Sequence, residues 1–413
     1  LTEPKIVEVT PSLYTYGGEV MGRLADGRAV FIPFALPGER VRIRLVEDKR
    51  RYARGELLEI IEPSPERVAP RCPHFQVCGG CHYQHLPYES QLALKAEVLQ
   101  DQLARIGGLK DVHVAPTVPS PRPFNYRNHI QFHQAPDGAL GFQAARSNQV
   151  VAVQECHLPE APIDALWPQL QLEPLPGLDR VGVRVGADEE LQLILESSDP
   201  QAFEFSVEDL PISAVHLGPG GTIVLAGSEA LAFEVLGRTF QVSAGSFFQV
   251  NTPQAAAMVE HLLGALPLEN SPTVLDVYCG VGLFSAFLAE RAGRLVGIES
   301  NPDACGDFAT NLDEFDHVEL YEALAAEVLG SVDFQPDIVV VDPPRTGLGR
   351  EALDGLLAQE AGWIAYISCD PSTLARDAKR MGAGGYELVQ ITPFDLFPQT
   401  FHIESISIWR KNP

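Results

Sequence analysis

The sequence predicts an α/β fold: a doubly wound parallel sheet in the C-terminal part, an N-terminal β-barrel, and a β-rich domain between them. Three observations point there. From about residue 247 onward, helical stretches alternate with apolar runs, Thr273-Val-Leu-Asp-Val277, Leu295-Val-Gly-Ile298, Ile338-Val-Val-Val341 and Ile364-Ala-Tyr-Ile367, the pattern of buried parallel strands. Residues 5 to 61 alternate short strand-like runs with turns. The stretch between is cut into short strands by Pro/Gly turns such as Pro174-Leu-Pro-Gly and Gly218-Pro-Gly-Gly; the latter lacks the strand-to-helix context of a phosphate loop and reads as a turn.

The elements come in this order. Val7-Glu-Val9, Gly18 to Leu24, Ala29-Val-Phe-Ile, Arg40 to Val46 and Gly55 to Ile61 are the barrel strands, and Glu62-Pro-Ser-Pro65 closes the module as a linker. Seven Lys or Arg fall between Arg40 and Arg54, either a solvated strand face or a phosphate-contacting patch. Tyr88, Leu92, Leu99, Leu103 and Ile106, with Lys95 read as a stem on the same stripe, fit one amphipathic helix over 88–106. Pro123 to His133 mixes aromatics with Arg127 and amides, a composition shared by single-stranded RNA clamps and ordinary strands.

Composition bounds the function. A chain of 413 residues with 45% hydrophobic content holds two or three domains with real cores. No apolar run reaches membrane-spanning length, and Leu1-Thr-Glu-Pro-Lys lacks a signal-peptide layout, so a soluble cytoplasmic protein is expected. A formal charge of −25 argues against indiscriminate coating of nucleic acid and leaves room for local basic patches. Seven cysteines without export signals suggest metal or catalytic use rather than a disulfide framework.

Four motifs carry chemistry. The first sheet strand runs into Asp276-Val-Tyr278-Cys279-Gly280-Val-Gly282, with Ser285 where a dinucleotide site prefers a third glycine, and the next strand ends at Glu299, placed to accept bonds from ribose hydroxyls. That combination fits S-adenosylmethionine better than NAD. Asp342-Pro-Pro-Arg345 is a strand end running into a turn fixed by two prolines; Arg345, where a stacking aromatic would serve exocyclic-amine chemistry, disfavours that reaction. Cys369 follows an apolar strand and Glu404 stands thirty-five positions later. One reaction uses all these parts: thiolate addition at carbon 6 of a pyrimidine activates carbon 5 toward a methyl group, and a base then removes the carbon 5 proton. Cys72, Cys78 and Cys81, with Cys156, form a four-thiol set that spacing alone divides evenly between an iron–sulfur cluster and zinc; His74, His82, His85 and His157 nearby read as packing or RNA-facing, and Cys279 and Cys305 as structural.

These stretches, together with Ser246-Phe-Phe-Gln249-Val-Asn251, Ser368-Cys-Asp-Pro371 and Asp395 to Glu404, resemble the RNA uridine-C5 methyltransferase family, in the family's own order. The resemblance implies a Rossmann-like methyltransferase domain, S-adenosylmethionine contacts from Gln249, Tyr278, Glu299 and Asp342, a nucleophilic Cys369 and a basic Glu404. A further cofactor contact of the family has no match near Tyr321-Glu-Ala-Leu and stays unassigned. The barrel is similar to the RNA-binding TRAM module. Family members with this cysteine pattern hold a four-iron four-sulfur cluster, which favours Cys72, Cys78, Cys81 and Cys156 as its ligands. The expected domains are 1–63 (TRAM-like barrel), 64–89 with 121–246 (central, cluster-bearing) and 90–120 with 247–413 (catalytic). The expected partner is a structured RNA presenting a flipped-out uridine, 23S ribosomal RNA before transfer RNA, met by a monomer. A non-enzymatic RNA-binding iron–sulfur module is the alternative of another class.

Overall fold

The computed structural model describes residues 5–170, 172–175, 177–199 and 211–412; position 176, in the turn read after Pro174, lies outside them. Strands β1 (Ile6–Val9), β2 (Leu13–Thr15), β3 (Glu19–Arg23), β4 (Ala29–Pro33), β5 (Arg40–Asp48) and β6 (Tyr52–Glu62) form one sheet in the order β1-β5-β6-β4-β3-β2. Strict alternation along β5 decides its faces: Val41, Ile43 and Leu45 enter the barrel core with Val30 and Ile32, while Arg40, Arg42 and Arg44 point outward. The basic stripe is charge-balanced. Arg40 pairs with Glu8 and Glu62, Arg42 with Glu8 and Glu59, Arg44 with Glu56, and Arg54 with Glu19 and Glu47. Much of the expected phosphate patch is therefore a cross-strand ion-pair ladder; among the described residues, Arg50 and Arg51 are the cations of the stripe outside it.

A strand-free segment carrying three of the cysteines leads to helix α1 (Tyr88–Gln102), which continues as a π-turn over Leu103–Gly107. Helix α1 does not present a simple apolar stripe. Gln91, Lys95 and Gln102 are buried beside Leu92, Leu94, Val98 and Leu99. Lys95 is not a solvent-seeking stem: at 1% exposure its Nζ lies 2.5 Å from Asp395 Oδ1 and donates to the Phe397 carbonyl at 3.0 Å. We expect Lys95→Met to destabilise the protein by about 3–5 kcal/mol, because it leaves Asp395 buried without its counter-charge. Thermal or urea unfolding measures this, and Lys95→Met with Asp395→Leu should recover most of the loss.

The central sheet comprises β7 (His129–Gln134), β8 (Leu140–Gln143), β9 (Val150–Ala152), then after α2 (Ala161–Leu166) β10 (Leu178–Val185), β11 (Leu191–Ser197), β12 (Ile212–Gly218) and β13 (Gly221–Ala226), ordered β13-β12-β11-β10-β7-β8-β9. Gly218 and Gly221 close a hairpin, so that motif is a turn. The Pro123 to His133 stretch alternates buried with part-exposed side chains. Tyr126 is 1% exposed and donates to the Pro398 carbonyl at 3.1 Å, Asn128 donates to the Gln249 carbonyl at 2.9 Å, and Phe132 lies in the sheet's core. Tyr126 and Asn128 thus fasten this stretch to the segments around 398 and 249, while Arg127, His129 and Gln131 line a cavity.

Hairpin β14 (Ala230–Val235) and β15 (Arg238–Ser243), turning through Leu236 and Gly237 at positive φ, leads into α3 (Thr252–Ala265). The parallel sheet is built next: β16 (Thr273–Val277), α4 (Leu283–Ala289), β17 (Arg294–Glu299), α5 (Pro302–Asn311), β18 (Val318–Glu322), α6 (Ala325–Val328), β19 (Ile338–Val341), α7 (Arg350–Ala358), β20 (Trp363–Ser368), α8 (Pro371–Ala383), β21 (Tyr386–Phe394) and β22 (Glu404–Lys411). Its order is β18-β17-β16-β19-β20-β22-β21, with β22 antiparallel to both neighbours. Apolar cores cover both faces, which is why its strands read as unbroken apolar runs. Leu99 of α1, Leu103 of the π-turn and Val114 beyond it belong to one of these cores. No helix among the described residues is long and apolar enough to cross a membrane.

Candidate active site

The crevice at the carboxyl ends of β16, β17, β19 and β20 gathers the residues singled out from the sequence. After β16 the chain turns through Tyr278 (φ +63°), Gly280 (+55°) and Gly282 (+89°), a left-handed sequence of conformations that opens the end of the sheet. Only glycine fits at 282, since a Cβ there would meet Leu312 at 2.4 Å. Glu299, half-buried at the end of β17, accepts from Gly280 N–H at 3.0 Å and from Ser300 and Asn301 N–H at 2.7 and 2.8 Å, so its carboxylate is fixed toward the glycine turn. Ser285 has a definite task in place of the third glycine. Its hydroxyl donates to Asp276 Oδ2 at 2.5 Å, while burial pushes the Asp276 carboxyl up to about 7.

Gln249 is buried in the segment leading to α3, and three elements hold that segment. Ser246 Oγ donates to Asp307 on α5 at 2.6 Å, Arg184 on β10 donates to the Ser243 and Ser246 carbonyls at 3.0 Å each, and Asn128 holds the Gln249 carbonyl. Asp342 ends β19 with its N–H donating to the Val277 carbonyl at 3.2 Å; a part-exposed edge faces the crevice, and its deep setting pushes the carboxyl up to about 7.

Cys369 and Glu404 come together through strand register. Ser368 pairs with Ser405 across β20 and β22, so position 369 lies opposite 404 one step further along. Cys369 is half-buried, between Ser368, whose hydroxyl donates to the Asp370 carbonyl at 3.1 Å, and Asp370, whose Oδ1 caps α8 by accepting from Ser372 and Thr373 N–H at 2.8 and 3.0 Å. Burial, then the negative charge of Glu404 and Asp342, pushes the thiol up to about 12, opposed by Arg345. Glu404 is 4% exposed; burial, then Asp342, holds its carboxyl well above the usual range, again opposed by Arg345. Both groups thus hold their protons more firmly than in water, and once Glu404 ionises its charge opposes ionisation of the thiol. Removing the Glu404 charge in Glu404→Gln should lower the thiol's pKa. Iodoacetamide alkylation of the Cys369 peptide, followed by mass spectrometry against pH, should then rise at lower pH than in the parent.

The loop before Glu404 is held from several sides. Lys95 and Tyr126 bind its Phe397 and Pro398 carbonyls, Gln91 exchanges side-chain and backbone hydrogen bonds with Gln399, and His82 and Tyr83 N–H donate to the Gln399 carbonyl. Burial lowers His402 to about 3, keeping it neutral beside the loop.

Cys72, Cys78, Cys81 and Cys156 line one cavity of about 680 Å³ that also reaches Phe247, Arg345 and Phe397. Arg345, one of the cavity residues, is also the cation whose charge acts on both Cys369 and Glu404. Burial pushes the Cys81 and Cys156 thiols up to about 12, with the other cluster cysteines adding to the shift, and Gly80 N–H donates to Cys78 Sγ at 3.4 Å. Gly79 is required by close approach, since a Cβ would stand 2.8 Å from the Gln143 carbonyl. Among the described residues no group of three or more His, Cys, Asp or Glu stands where it could hold a metal ion. His82 and His85 are buried and lowered to about 4, and His74 accepts from Gln154 N–H at 3.2 Å, so all three act in packing or local structure. Cys279 and Cys305 are buried, with thiols pushed up by burial.

Residues 228–412 match the family model described as tRNA (uracil-5-)-methyltransferase, and residues 5–58 match the TRAM domain. An RNA methyltransferase of Halalkalibacterium halodurans is 35% identical over 98% of this chain and 96% of its own length. The chain belongs to the RNA uracil-C5 methyltransferase family. Another RNA methyltransferase, from Aquifex aeolicus, is 35% identical over 98% of each chain. Among solved structures, the Pyrococcus abyssi tRNA (uracil-54, C5)-methyltransferase in complex with S-adenosyl-L-homocysteine superposes with a TM-score of 0.73 at 24% identity, covering 98% of this chain and all of that one, and so shares the fold. Within the uracil-C5 methyltransferase frame, two features had no sequence signal. Arg345 enters the reading of the motif only as a missing aromatic, yet its charge reaches both Cys369 and Glu404. Tyr16, on the barrel, contacts the residue next to Cys369 across 354 positions of sequence, a separation no local pattern spans.

Proposed function

We propose that this methyltransferase modifies carbon 5 of a specific uridine in structured RNA, 23S ribosomal RNA before transfer RNA, through a covalent bond between Cys369 and carbon 6. The observation that carries this reading is the strand register, which sets position 369 opposite 404 one step beyond the Ser368–Ser405 pair, where the charge of Glu404 adds to the burial that raises the Cys369 thiol. S-adenosylmethionine, held by Gln249, Tyr278, Glu299 and Asp342, supplies an electrophilic methyl group. Cys369 gives its proton to solvent and, as thiolate, adds to carbon 6, leaving carbon 5 nucleophilic toward that methyl. Glu404, as carboxylate, then takes the carbon 5 proton, the bond from sulfur to carbon 6 breaks, and the uracil ring is restored with the thiolate released. Arg345 offsets the negative charge of this acidic site while the thiol is ionised.

Cys72, Cys78, Cys81 and Cys156 are proposed to hold a four-iron four-sulfur cluster. Support comes from four thiols lining one cavity and from the Gly80 N–H directed at the Cys78 sulfur. Iron and acid-labile sulfide analysis of protein purified without oxygen tests the cluster; absence of both would refute it. The cavity between cluster and Arg345 is the proposed seat of the RNA strand flanking the target. Mapping 5-methyluridine in ribosomal and transfer RNA from cells lacking the protein tests the substrate. Loss confined to transfer RNA would transfer the assignment there, and no loss in either would overturn it.

A further inference from the structure

The TRAM-like barrel reaches into the catalytic centre. Its turn between β2 and β3 carries Tyr16, followed by Gly17 and Gly18 at φ +102° and +82°, and the tip is pressed so close that a Cβ on Gly18 would stand 3.2 Å from the His82 ring. Tyr16 is half-buried, and its hydroxyl donates to Asp370 Oδ2 at 2.9 Å. Asp370 is the neighbour of Cys369 and caps α8 with its other oxygen, so both of its oxygens are engaged, one by its own helix and one by the barrel. The Tyr16 ring meets Phe401 edge-on with centroids 5.7 Å apart, and Phe401 lies three residues before Glu404. Around the contact, Leu36 of the barrel packs with Tyr83, Leu94 and Ile403 in a small separate core. One barrel side chain therefore touches both the segment bearing Cys369 and the segment bearing Glu404.

We propose that Tyr16 is a positioning residue for the reaction: by fixing Asp370 it orients Cys369, so the barrel completes the catalytic centre as well as binding RNA. This rests on the reading of Cys369 as nucleophile. The physical case is one of tolerance. A nucleophile at a strand end is oriented by the dihedrals of its own and the next residue, and displacements near 1 Å at the reacting atom cost about 100-fold in rate. The Ser368 hydroxyl bridges Cys369 to hold the Asp370 backbone, accepting from its N–H at 3.2 Å and donating to its carbonyl at 3.1 Å, so the setting of Cys369 between them is only as firm as the hold on Asp370, whose second carboxylate oxygen depends on Tyr16.

The test uses the full-length protein and a trapped step. Glu404→Gln should accumulate the RNA adduct, and its rate of formation in a single turnover is read with and without Tyr16→Phe. Phenylalanine keeps the ring against Phe401 and removes only the hydroxyl. Adduct formation is expected to slow about 10-fold, while in the otherwise unaltered enzyme Tyr16→Phe lowers kcat with KM for RNA changed by less than about 2-fold. A purely structural role would instead lower Tm or raise KM and leave the adduct rate at saturating RNA unmoved; equal adduct rates in the two backgrounds overturn the proposal. Should Tyr16→Phe melt early, Asp370→Asn, which keeps an oxygen to cap α8, takes its place and is expected to slow the same step. No adduct in Glu404→Gln alone would instead refute the nucleophile assignment, a failure visible before Tyr16 is touched.

Discussion

Cys369→Ala is expected to reduce methyl transfer to RNA by about four orders of magnitude or more, the scale seen when a covalent nucleophile is removed from a preorganised site. The loss should fall on turnover, with RNA and S-adenosylmethionine still bound, because Cys369 is part-exposed at the end of β20 and its loss opens no cavity in the sheet's core. Without addition at carbon 6, carbon 5 of uracil is a poor nucleophile, and nothing else at the ends of these strands provides a soft nucleophile in its place. Cys279 is buried behind the glycine turn with its thiol held protonated, so it is no substitute. Transfer of labelled methyl groups to total RNA, at saturating cofactor, measures the effect. A variant within 10-fold of the parent would sink the covalent mechanism.

Glu404→Gln should have a different signature. Glutamine matches glutamate in size at a buried position, so the fold should persist, while the carbon 5 proton loses its acceptor. Turnover is expected to fall by about 100- to 10,000-fold, with the enzyme accumulating as a protein–RNA species that survives denaturing electrophoresis. The same substitution removes a negative charge that holds the Cys369 thiol protonated, so the adduct should form at least as readily as in the parent. Lost turnover without an adduct would assign Glu404 to an earlier step. Adduct formation with unimpaired turnover would show that another group takes the proton.

Much of this architecture is legible in the residues. The apolar runs at 273–277, 338–341 and 364–367 could only be buried strands, and the turns after them carry the glycines, prolines and acids of the crevice. Less legible is whatever depends on partners distant in sequence. The arginines of β5 read as a patch because their glutamates lie on β1 and β6, and only the sheet register places them opposite. Lys95 reads as a stem because Asp395, 300 positions away, is what makes its burial tolerable. The stretch around Tyr126 and Asn128 reads equally as an RNA clamp or an ordinary strand because composition does not distinguish an aromatic–amide run facing RNA from one anchoring two loops.

The position of β22 has a consequence for the order in which the protein becomes an enzyme. Among the described strands this one comes after β20 and β21 in sequence, yet lies inside the sheet between them. During synthesis the barrel, the cysteine segment and the thiol of Cys369 leave the ribosome while β20 and β21 still expose open edges to each other. Those edges close only when residues 404–411 insert between them, and the residue that leads the insertion is Glu404. A nascent or truncated chain can thus display the Cys369 thiol without Glu404, and the two meet only when this non-local strand pairing forms.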